Sequence, residues 1–341
     1  MGINLSKLKI ASKSAPVLDV VGMVLGAGLP QGVPAVRLAR KDGVDDLVAG
    51  GFLDLSGELP ATPEDAAAAT PGSWQVPTAF RAPHAALAIH SGQAFLRHSA
   101  ETRENGENGD PQMRSVSRAT APDLPPLTAG LPEFQAAWAA RLFPEGRRPT
   151  ACSIQIASTA AMSGFSHNPA FKKAGGNAIV MMVFPSYTAL AAFQDSMLVL
   201  YREHPVGFRH VREAVSAQMR VDEAMAESVL DDTLVDPIPM IEPVLRPLLR
   251  QIEISVDYLA RRRDCPVENF FICGLPTGFR YWASLFNRML GRTPTLCRPP
   301  ESFSGSPSAV LPDTHPLASD GTGQLFMAAI GAAFAVLDDH S

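Results

Sequence analysis

The chain has 341 residues, of which 46% are hydrophobic and 18% are charged. This composition can fill one large core or two smaller ones, which excludes a disordered chain or a fibre. The formal net charge is −5, and the run of three arginines at 261–263 is the main cluster of cations, so the sequence gives no electrostatic case for nucleic-acid binding.

The first predicted elements form a meander of three strands. Residues 17–25 are almost continuously apolar, and the segments VPAVRLAR and DDLVAGGFLDL follow, separated by a turn at Lys41, Asp42 and Gly43. The glycines from Gly22 to Gly32 suggest a dinucleotide-binding loop, which requires a helix directly after the loop. Pro30 and Pro34 interrupt any such helix, and the pattern after them favours a strand.

The next region is less regular. A short helix is predicted within residues 60–83, and two strands within 85–98. Residues 99–132 are polar and rich in Gly and Pro, so we expect a mobile loop, followed by a helix in EFQAAWAARLF and a strand leading into a helix in CSIQIASTAAMSGF. His84, His90 and His98 suggest a metal site, but their spacing does not place three ligands on one strand face beside an acid.

Residues 178–215 repeat the arrangement of the first segment. An apolar run at 178–184 and a second at 190–193 predict a hairpin, the segment MLVLYREHPV predicts a third strand, and a helix begins near residue 209. The chain therefore contains two meanders of three strands.

Helices dominate the remainder of the sequence. Asp222 is suited to cap a helix, and apolar residues at helical spacing predict a long helix through Arg263 whose regular part begins after Pro243 and Pro247. A buried strand at 270–273 precedes a helix with Thr277 as its expected N-cap and Gly291 as its C-cap. The apolar segment 325–337 is shorter than the roughly 20 residues that span a bilayer, which predicts a buried helix.

The chain has four cysteines, Cys152, Cys265, Cys273 and Cys297, without any CxxC pair. This usage is typical of a protein in a reducing compartment.

The two meanders and the order of the helices after them resemble the actin-like ATPase superfamily, and within it the PilM-like type IV pilus assembly proteins with their relatives FtsA and the cytoplasmic part of GspL. The resemblance implies an α/β fold with mixed sheets, ribonuclease H-like and two-lobed, with a reduced inserted subdomain. It implies an N-terminal tail at 1–16, a first lobe at 17–177 containing the mobile loop 99–132, and a second lobe at 178–341 whose C-terminal helix returns to the first lobe.

In that family each hairpin carries an Asp-Ile-Gly signature for metal and phosphate, and a Gly-Gly pair lies beneath the adenosine. The matching positions here are Val24, Gly26 and Gly28 in the first hairpin, Met181, Met182 and Val183 in the second, and Gly274 and Leu275 in the pair. The resemblance therefore implies a degenerate nucleotide site, with no catalytic residue, metal or cofactor. ATP and Mg²⁺ remain possible if another acid takes the role; the candidates are Asp19, Asp45, Asp54, Glu58 and Asp195.

The resemblance further implies a non-catalytic cytoplasmic scaffold of a type IV pilus or type II secretion-like inner-membrane complex. Its expected partner is the cytoplasmic tail of a PilN-like membrane protein, through which alone it would associate with the membrane. The expected groove lies between residues 85–98 and 135–160, with Phe95, Trp138 and Phe143 as apolar anchors. An active actin-like ATPase and a Rossmann-type oxidoreductase remain open as alternatives.

Overall fold

The computed structural model describes residues 19–29, 32–41, 43–55, 58–69, 74, 76–98, 112–143, 148–232, 234–273, 278–297 and 326–339. The described residues form two compact units. The first unit contains those up to residue 169 together with 326–339, and the second contains residues 170–297. Each unit is built on a five-stranded mixed sheet.

The sheet of the first unit begins with the predicted meander. Its order is β3-β2-β1-β4-β8, in which β1 pairs antiparallel with β2 and parallel with β4. Strand β1 lies at the centre of the sheet, which explains its nearly continuous apolar sequence. The strands are β1 (Asp19–Leu25), β2 (Val33–Lys41), β3 (Val44–Leu53), β4 (His84–Ile89) and β8 (Thr150–Ile156). The Rossmann expectation fails here, because β1 is followed by an antiparallel strand and not by a helix.

Two buried helices, α3 (Ala157–Ser166) and α9 (Met327–Asp339), pack on this sheet and on each other. A Cβ atom at Gly22 would lie 2.0 Å from the carbonyl oxygen of Ala329, and one at Gly331 would lie 1.7 Å from that of Ala160. Glycine is therefore required wherever α9 approaches β1 and α3 this closely. The prediction of a buried C-terminal helix is confirmed.

The loop prediction for residues 99–132 is wrong where the structure describes this segment. Residues Met113–Arg118 form β6 and Leu127–Pro132 form β7, and with β5 (Phe95–His98) they make a three-stranded antiparallel sheet of order β5-β7-β6. Strand β6 is mostly exposed and polar, so it lacks the apolar alternation by which strands are found in sequences. Residues 99–111 lie outside the described residues.

The remaining helices of the first unit are short. They are α1 (Pro63–Ala68), a 3₁₀ helix (Thr78–Phe80) and the predicted α2 (Glu133–Leu142). Helix α1 begins at a reciprocal cap, in which the Thr62 hydroxyl accepts from the Asp65 N–H and the Asp65 carboxylate accepts from the Thr62 N–H. Helix α4 (Pro169–Lys173) crosses the boundary between the units.

The sheet of the second unit repeats the first. Its order is β11-β10-β9-β12-β13, with antiparallel pairs in the meander and parallel pairs from β9 to β12 and β13. This confirms the hairpin at 178–193 and the third strand after it. The strands are β9 (Ala178–Val183), β10 (Thr188–Gln194), β11 (Met197–His204), β12 (Phe270–Cys273) and β13 (Thr295–Leu296).

The helices of the second unit are α5 (Phe208–Met219), α6 (Glu223–Asp231), α7 (Ile238–Arg263) and α8 (Phe279–Leu290). Asp222 caps α6 as predicted, since its side chain accepts from the Met225 N–H at 2.8 Å. Gly291 ends α8 at φ 63°, also as predicted, but the N-cap of α8 is Gly278 and not Thr277. Among the described helices, none is both long and apolar enough to cross a membrane.

Helix α7 differs from the prediction at its start. It begins at Ile238, so Pro243 and Pro247 lie inside it. Each proline removes one backbone hydrogen bond of the helix. The apolar stripe compensates, because Ile241, Leu245, Leu248, Leu249 and Ile252 are at most 1% exposed.

Candidate functional site

The carboxyl ends of β1 and β4 lie side by side in the first unit. The Gly26 turn leaves β1 with φ 79°, and a Cβ atom at Gly26 would lie 2.3 Å from the carbonyl oxygen of His90. The His90 N–H donates to the Leu25 carbonyl at 2.9 Å, which fixes the turn against the end of β4. Gly28 has φ 62° and open space around its Cβ position, so both glycines of this turn have left-handed backbone conformations, which other residues rarely adopt.

The side chains of the predicted nucleotide positions are hydrocarbon and thioether groups in strands. Val24 is 5% exposed at the end of β1, while Met181 and Val183 are at most 2% exposed in β9 of the second unit. Both turns that follow, 25–29 and 184–187, are made of residues without carboxylates. Gly274 and Leu275 lie outside the described residues.

Three of the five candidate acids do not lie at the carboxyl ends of β1 or β9. Asp19 opens β1, at the opposite end from the Gly26 turn, and binds Arg37 through both oxygens at 2.9 and 2.6 Å. Asp45 binds Arg40 in the same way, at 2.6 and 3.0 Å. Asp195 lies in the exposed turn between β10 and β11. Asp54 and Glu58 follow β3, whose carboxyl end lies at the same edge of the sheet as the Gly26 turn, and a Cβ atom at Gly26 would lie 2.6 Å from the side chain of the adjacent Leu59.

The junction of β8 and α3 carries buried polar groups that were not predicted from the sequence. Gln155 and Ser158 are fully buried, and the Gln155 side-chain nitrogen donates to the Ser153 hydroxyl at 3.1 Å. Within the described residues, the Gln155 carbonyl oxygen and the Ser158 hydroxyl have no hydrogen-bond partner, and α3 begins without a side-chain cap. Such groups suit a buried water or another small polar group. The signal in the sequence is the alternation of the polar Ser153 and Gln155 with the apolar Ile154 and Ile156.

Two titratable side chains of this sheet are electrically neutral at physiological pH: His90 follows the carboxyl end of β4, and Cys152 lies near the amino end of β8. Burial lowers the pKa of His90 to about 4, so the imidazole is uncharged. Burial raises the pKa of the Cys152 thiol to about 12, which makes Cys152 a poor nucleophile. The described residues also contain no group of three or more His, Cys, Asp or Glu side chains that could hold a metal ion.

The three predicted partner anchors lie in different environments. Trp138 and Phe143 are 6% and 3% exposed and belong to the core of the first unit, where Phe143 meets Trp74 edge to face at 5.8 Å. Phe95 is partly exposed on β5. Only Phe95 of the three can therefore offer its ring to a partner without unpacking the core.

Phe95 lies on one face of the three-stranded sheet. Phe95 pairs with Gly130 of β7, and a Cβ atom at Gly130 would lie 2.2 Å from the phenyl ring, so the ring covers the strand at this glycine. The guanidinium of the exposed Arg97 lies 4.7 Å from the ring centroid. The opposite face of the sheet is buried: it carries Leu96, Ala129 and Leu131, which are at most 5% exposed.

Comparison with known proteins identifies similar structures. A chain of a PilM–PilN type IV pilus biogenesis complex superposes with a TM-score of 0.67 at 16% identity, covering 94% of this chain and 99% of that one. The ethanolamine utilization protein EutJ from Carboxydothermus hydrogenoformans matches with a TM-score of 0.49 at 14% identity, covering 93% and 90%. No protein-family model and no curated protein sequence matches the chain. The chain has the actin-like ATPase fold, and its structure is similar to the PilM–PilN chain over nearly its whole length.

Proposed function

We propose that this chain is a non-catalytic cytoplasmic scaffold of a type IV pilus or type II secretion-like inner-membrane complex. Its role is to bind the cytoplasmic tail of a PilN-like membrane protein, which holds it at the inner membrane. The observation that carries the proposal is the similarity to a chain of a PilM–PilN complex, which extends over 94% of this chain.

The chemistry at the strand ends supports a role without hydrolysis. Mg²⁺-bound triphosphate requires oxygen ligands and neutralising charge. At the positions where the family carries its acids, this chain has the buried side chains Val24 and Met181. Asp19 and Asp45, which could have served instead, are bound to arginines.

Nucleotide binding is the second candidate function, and two observations favour it. The Gly26–Gly28 turn has left-handed backbone conformations, and the unpartnered polar atoms of Gln155 and Ser158 lie in the same unit. Titration calorimetry with Mg-ATP separates the two functions. We expect no measurable heat and no phosphate release; micromolar affinity for Mg-ATP would favour the ATPase.

We assign the proposed binding of the partner to a surface centred on Phe95. Trp138 and Phe143 are core residues, so we assign them a structural role. We assign contact with the partner to Phe95 and Arg97. An aromatic ring with a stacked guanidinium offers apolar area and hydrogen-bond donors to an extended peptide.

The test is a fluorescence-anisotropy titration of a synthetic peptide, the cytoplasmic tail of the PilN-like protein encoded in the same genome. The wild-type chain should bind this peptide and not a scrambled version. Absence of binding by the wild-type chain, together with absence of co-purification from membranes, would refute the proposed function. Binding that survives Phe95→Ala and Arg97→Ala would refute only the assigned surface.

A further inference from the structure

Two cysteines of the second unit occupy matched positions on neighbouring strands. Strands β12 and β13 pair in parallel, with Phe271 opposite Thr295 and Ile272 opposite Leu296. The backbone N–H of Cys297 donates to the carbonyl oxygen of Ile272 at 2.8 Å, which is one of the bonds that pair Ile272 with Leu296. Cys273 and Cys297 each follow the last pair of this register by one residue, so they are neighbours at the carboxyl ends of the two strands.

The geometry of a parallel ladder suits a bond between these two residues. Paired residues of adjacent strands project to the same side of the sheet, and the strands lie about 4.8 Å apart. Disulfides join residues whose Cα atoms are roughly 4.4–6.8 Å apart. Both cysteines are thiols in this structure and are 1% exposed.

The other two cysteines do not share this arrangement. Cys152 lies on β8 of the first unit, and Cys265 follows the end of α7. The Cys152 thiol donates to the Ala85 carbonyl oxygen of β4 at 3.3 Å, and Cys265 lies outside the strands, so neither is beside another cysteine in a ladder. They therefore serve as internal controls.

We propose that Cys273 and Cys297 are a reversible thiol–disulfide pair that is oxidised by hydroperoxides. One thiol attacks the peroxide, giving a sulfenic acid and one molecule of water, and the second thiol then displaces a second water to form the S–S bond. In sum, two S–H bonds are broken, one S–S bond is formed, and hydrogen peroxide is reduced to two molecules of water. A dithiol reductant reverses the reaction by thiol–disulfide exchange.

Burial favours a disulfide over a soft-metal site at this pair. Two thiolates around a monovalent cation would leave one net negative charge in an environment where both side chains are 1% exposed. Burying an uncompensated charge is costly, whereas a disulfide is neutral.

The disulfide would strengthen the attachment of the edge strand of the second sheet. Strand β13 has only two residues and is the last strand in the order, so little backbone pairing holds it. A disulfide would fasten β13 to β12 and enclose α8 in a covalent loop. It would also fix the chain directly before Gly274 and Leu275, the positions predicted from the family's adenosine site.

The experiment oxidises the full-length native protein with a series of hydrogen peroxide concentrations, then alkylates the remaining thiols under denaturing conditions and measures the intact mass. We expect the number of alkylated thiols to fall from four to two, with a loss of two hydrogens that dithiothreitol restores. The thermal midpoint of unfolding should rise by about 5 °C, as expected for a constrained unfolded chain.

Peptide mapping identifies the bond. Trypsin leaves Cys265 and Cys273 in one peptide, between Arg263 and Arg280, so additional cleavage after Glu268 is needed to separate them. The linked peptide should contain Cys273 and Cys297. Cys273→Ala and Cys297→Ala should abolish it, and Cys152→Ala and Cys265→Ala should leave it unchanged.

Several results would overturn the proposal. These are four alkylatable thiols at every peroxide concentration that leaves the protein folded, a linked peptide that contains Cys152 or Cys265, or reversible loss of two thiols in the Cys273→Ala protein. The wild-type peptide map does not depend on the variants, so the proposal stays testable if a variant fails to fold.

Discussion

The imidazole Nε2 of His167 lies 3.1 Å from the carboxylate Oδ2 of Asp338 and ties the end of α3 to the last turn of α9. The His167 ring also stacks on Phe334 of α9 at 4.0 Å between centroids, with an interplanar angle of 6°. Arg40 of β2 adds a second bond to Asp338 at 3.0 Å and donates to the Leu337 carbonyl at 2.9 Å. The C-terminal helix is therefore held to the first unit by charge as well as by apolar packing.

Substitution of Asp338 by Asn should weaken this attachment. The Asp338 side chain is 46% exposed, so solvent screens its ion pairs, and we expect the free energy of unfolding to fall by about 0.5–1 kcal/mol. Urea denaturation at neutral pH measures the change. Glu268→Gln, at an exposed carboxylate of the second unit, is the control.

The contribution of Asp338 should also depend on pH. Burial acts to raise its pKa, but the hydrogen bonds from His167 and Arg40 outweigh burial, and the pKa lies below 3.8. A carboxyl group with a lowered pKa in the folded state stabilises the protein above its unfolded pKa and loses that contribution as the pH falls through the folded pKa. The difference between wild type and Asp338→Asn should thus shrink as the pH falls through the folded pKa of Asp338, which lies below the usual range of an aspartate. If Asp338→Asn still lowered the free energy of unfolding by the same amount at strongly acidic pH, the ion pairs of Asp338 would not be the cause.

Gly331→Ala should be strongly destabilising. The added methyl group would lie 1.7 Å from the Ala160 carbonyl oxygen, and backbone atoms on both sides prevent a cheap adjustment. Overpacking of this kind costs about 1–3 kcal/mol or more. Thermal unfolding measures the effect. Gly92→Ala is the matched control, because a Cβ atom there would meet nothing within 4 Å, and its stability should change by less than about 0.5 kcal/mol.

Trp138→Ala and Phe95→Ala should act on different properties. Trp138 is 6% exposed in the core, so its truncation should cost about 3–5 kcal/mol of stability. Phe95 is partly exposed, so its truncation should cost much less and should instead weaken binding of the tail peptide. Chemical denaturation and anisotropy titration measure the two effects. Tyr258→Ala, an exposed aromatic of the second unit, is the control and should leave peptide binding unchanged.

Pro247→Ala should stabilise the protein. Pro247 is exposed inside α7, where it removes a backbone hydrogen bond without adding core contacts. A proline in a helix interior is about 3 kcal/mol less favourable than alanine, and the larger conformational freedom of the unfolded alanine chain offsets about 1 kcal/mol of this. We expect a net gain of about 1–2 kcal/mol by urea denaturation; a loss of stability would mean that the proline ring packs against a neighbour.

Much of the fold is determined by local patterns in the sequence. Central strands such as β1 and β9 are continuously apolar because both faces are buried, and this pattern is visible without any partner. The cap of α6 at Asp222 and the end of α8 at Gly291 depend on interactions within a few residues. The apolar character of α9 likewise follows from the sequence alone.

Other features were decided only by tertiary structure, because their causes lie far away in the chain. Strand β6 exists through pairing with β7, and its own residues give no strand signal. Helix α7 continues through its prolines because the stripe around them is packed. The sequence identified Phe95, Trp138 and Phe143 as equivalent aromatic anchors, and only the contacts of distant residues separate two core side chains from one that is accessible. The pairing of Cys273 with Cys297 likewise depends on the register of two strands that are joined only through the whole of α8.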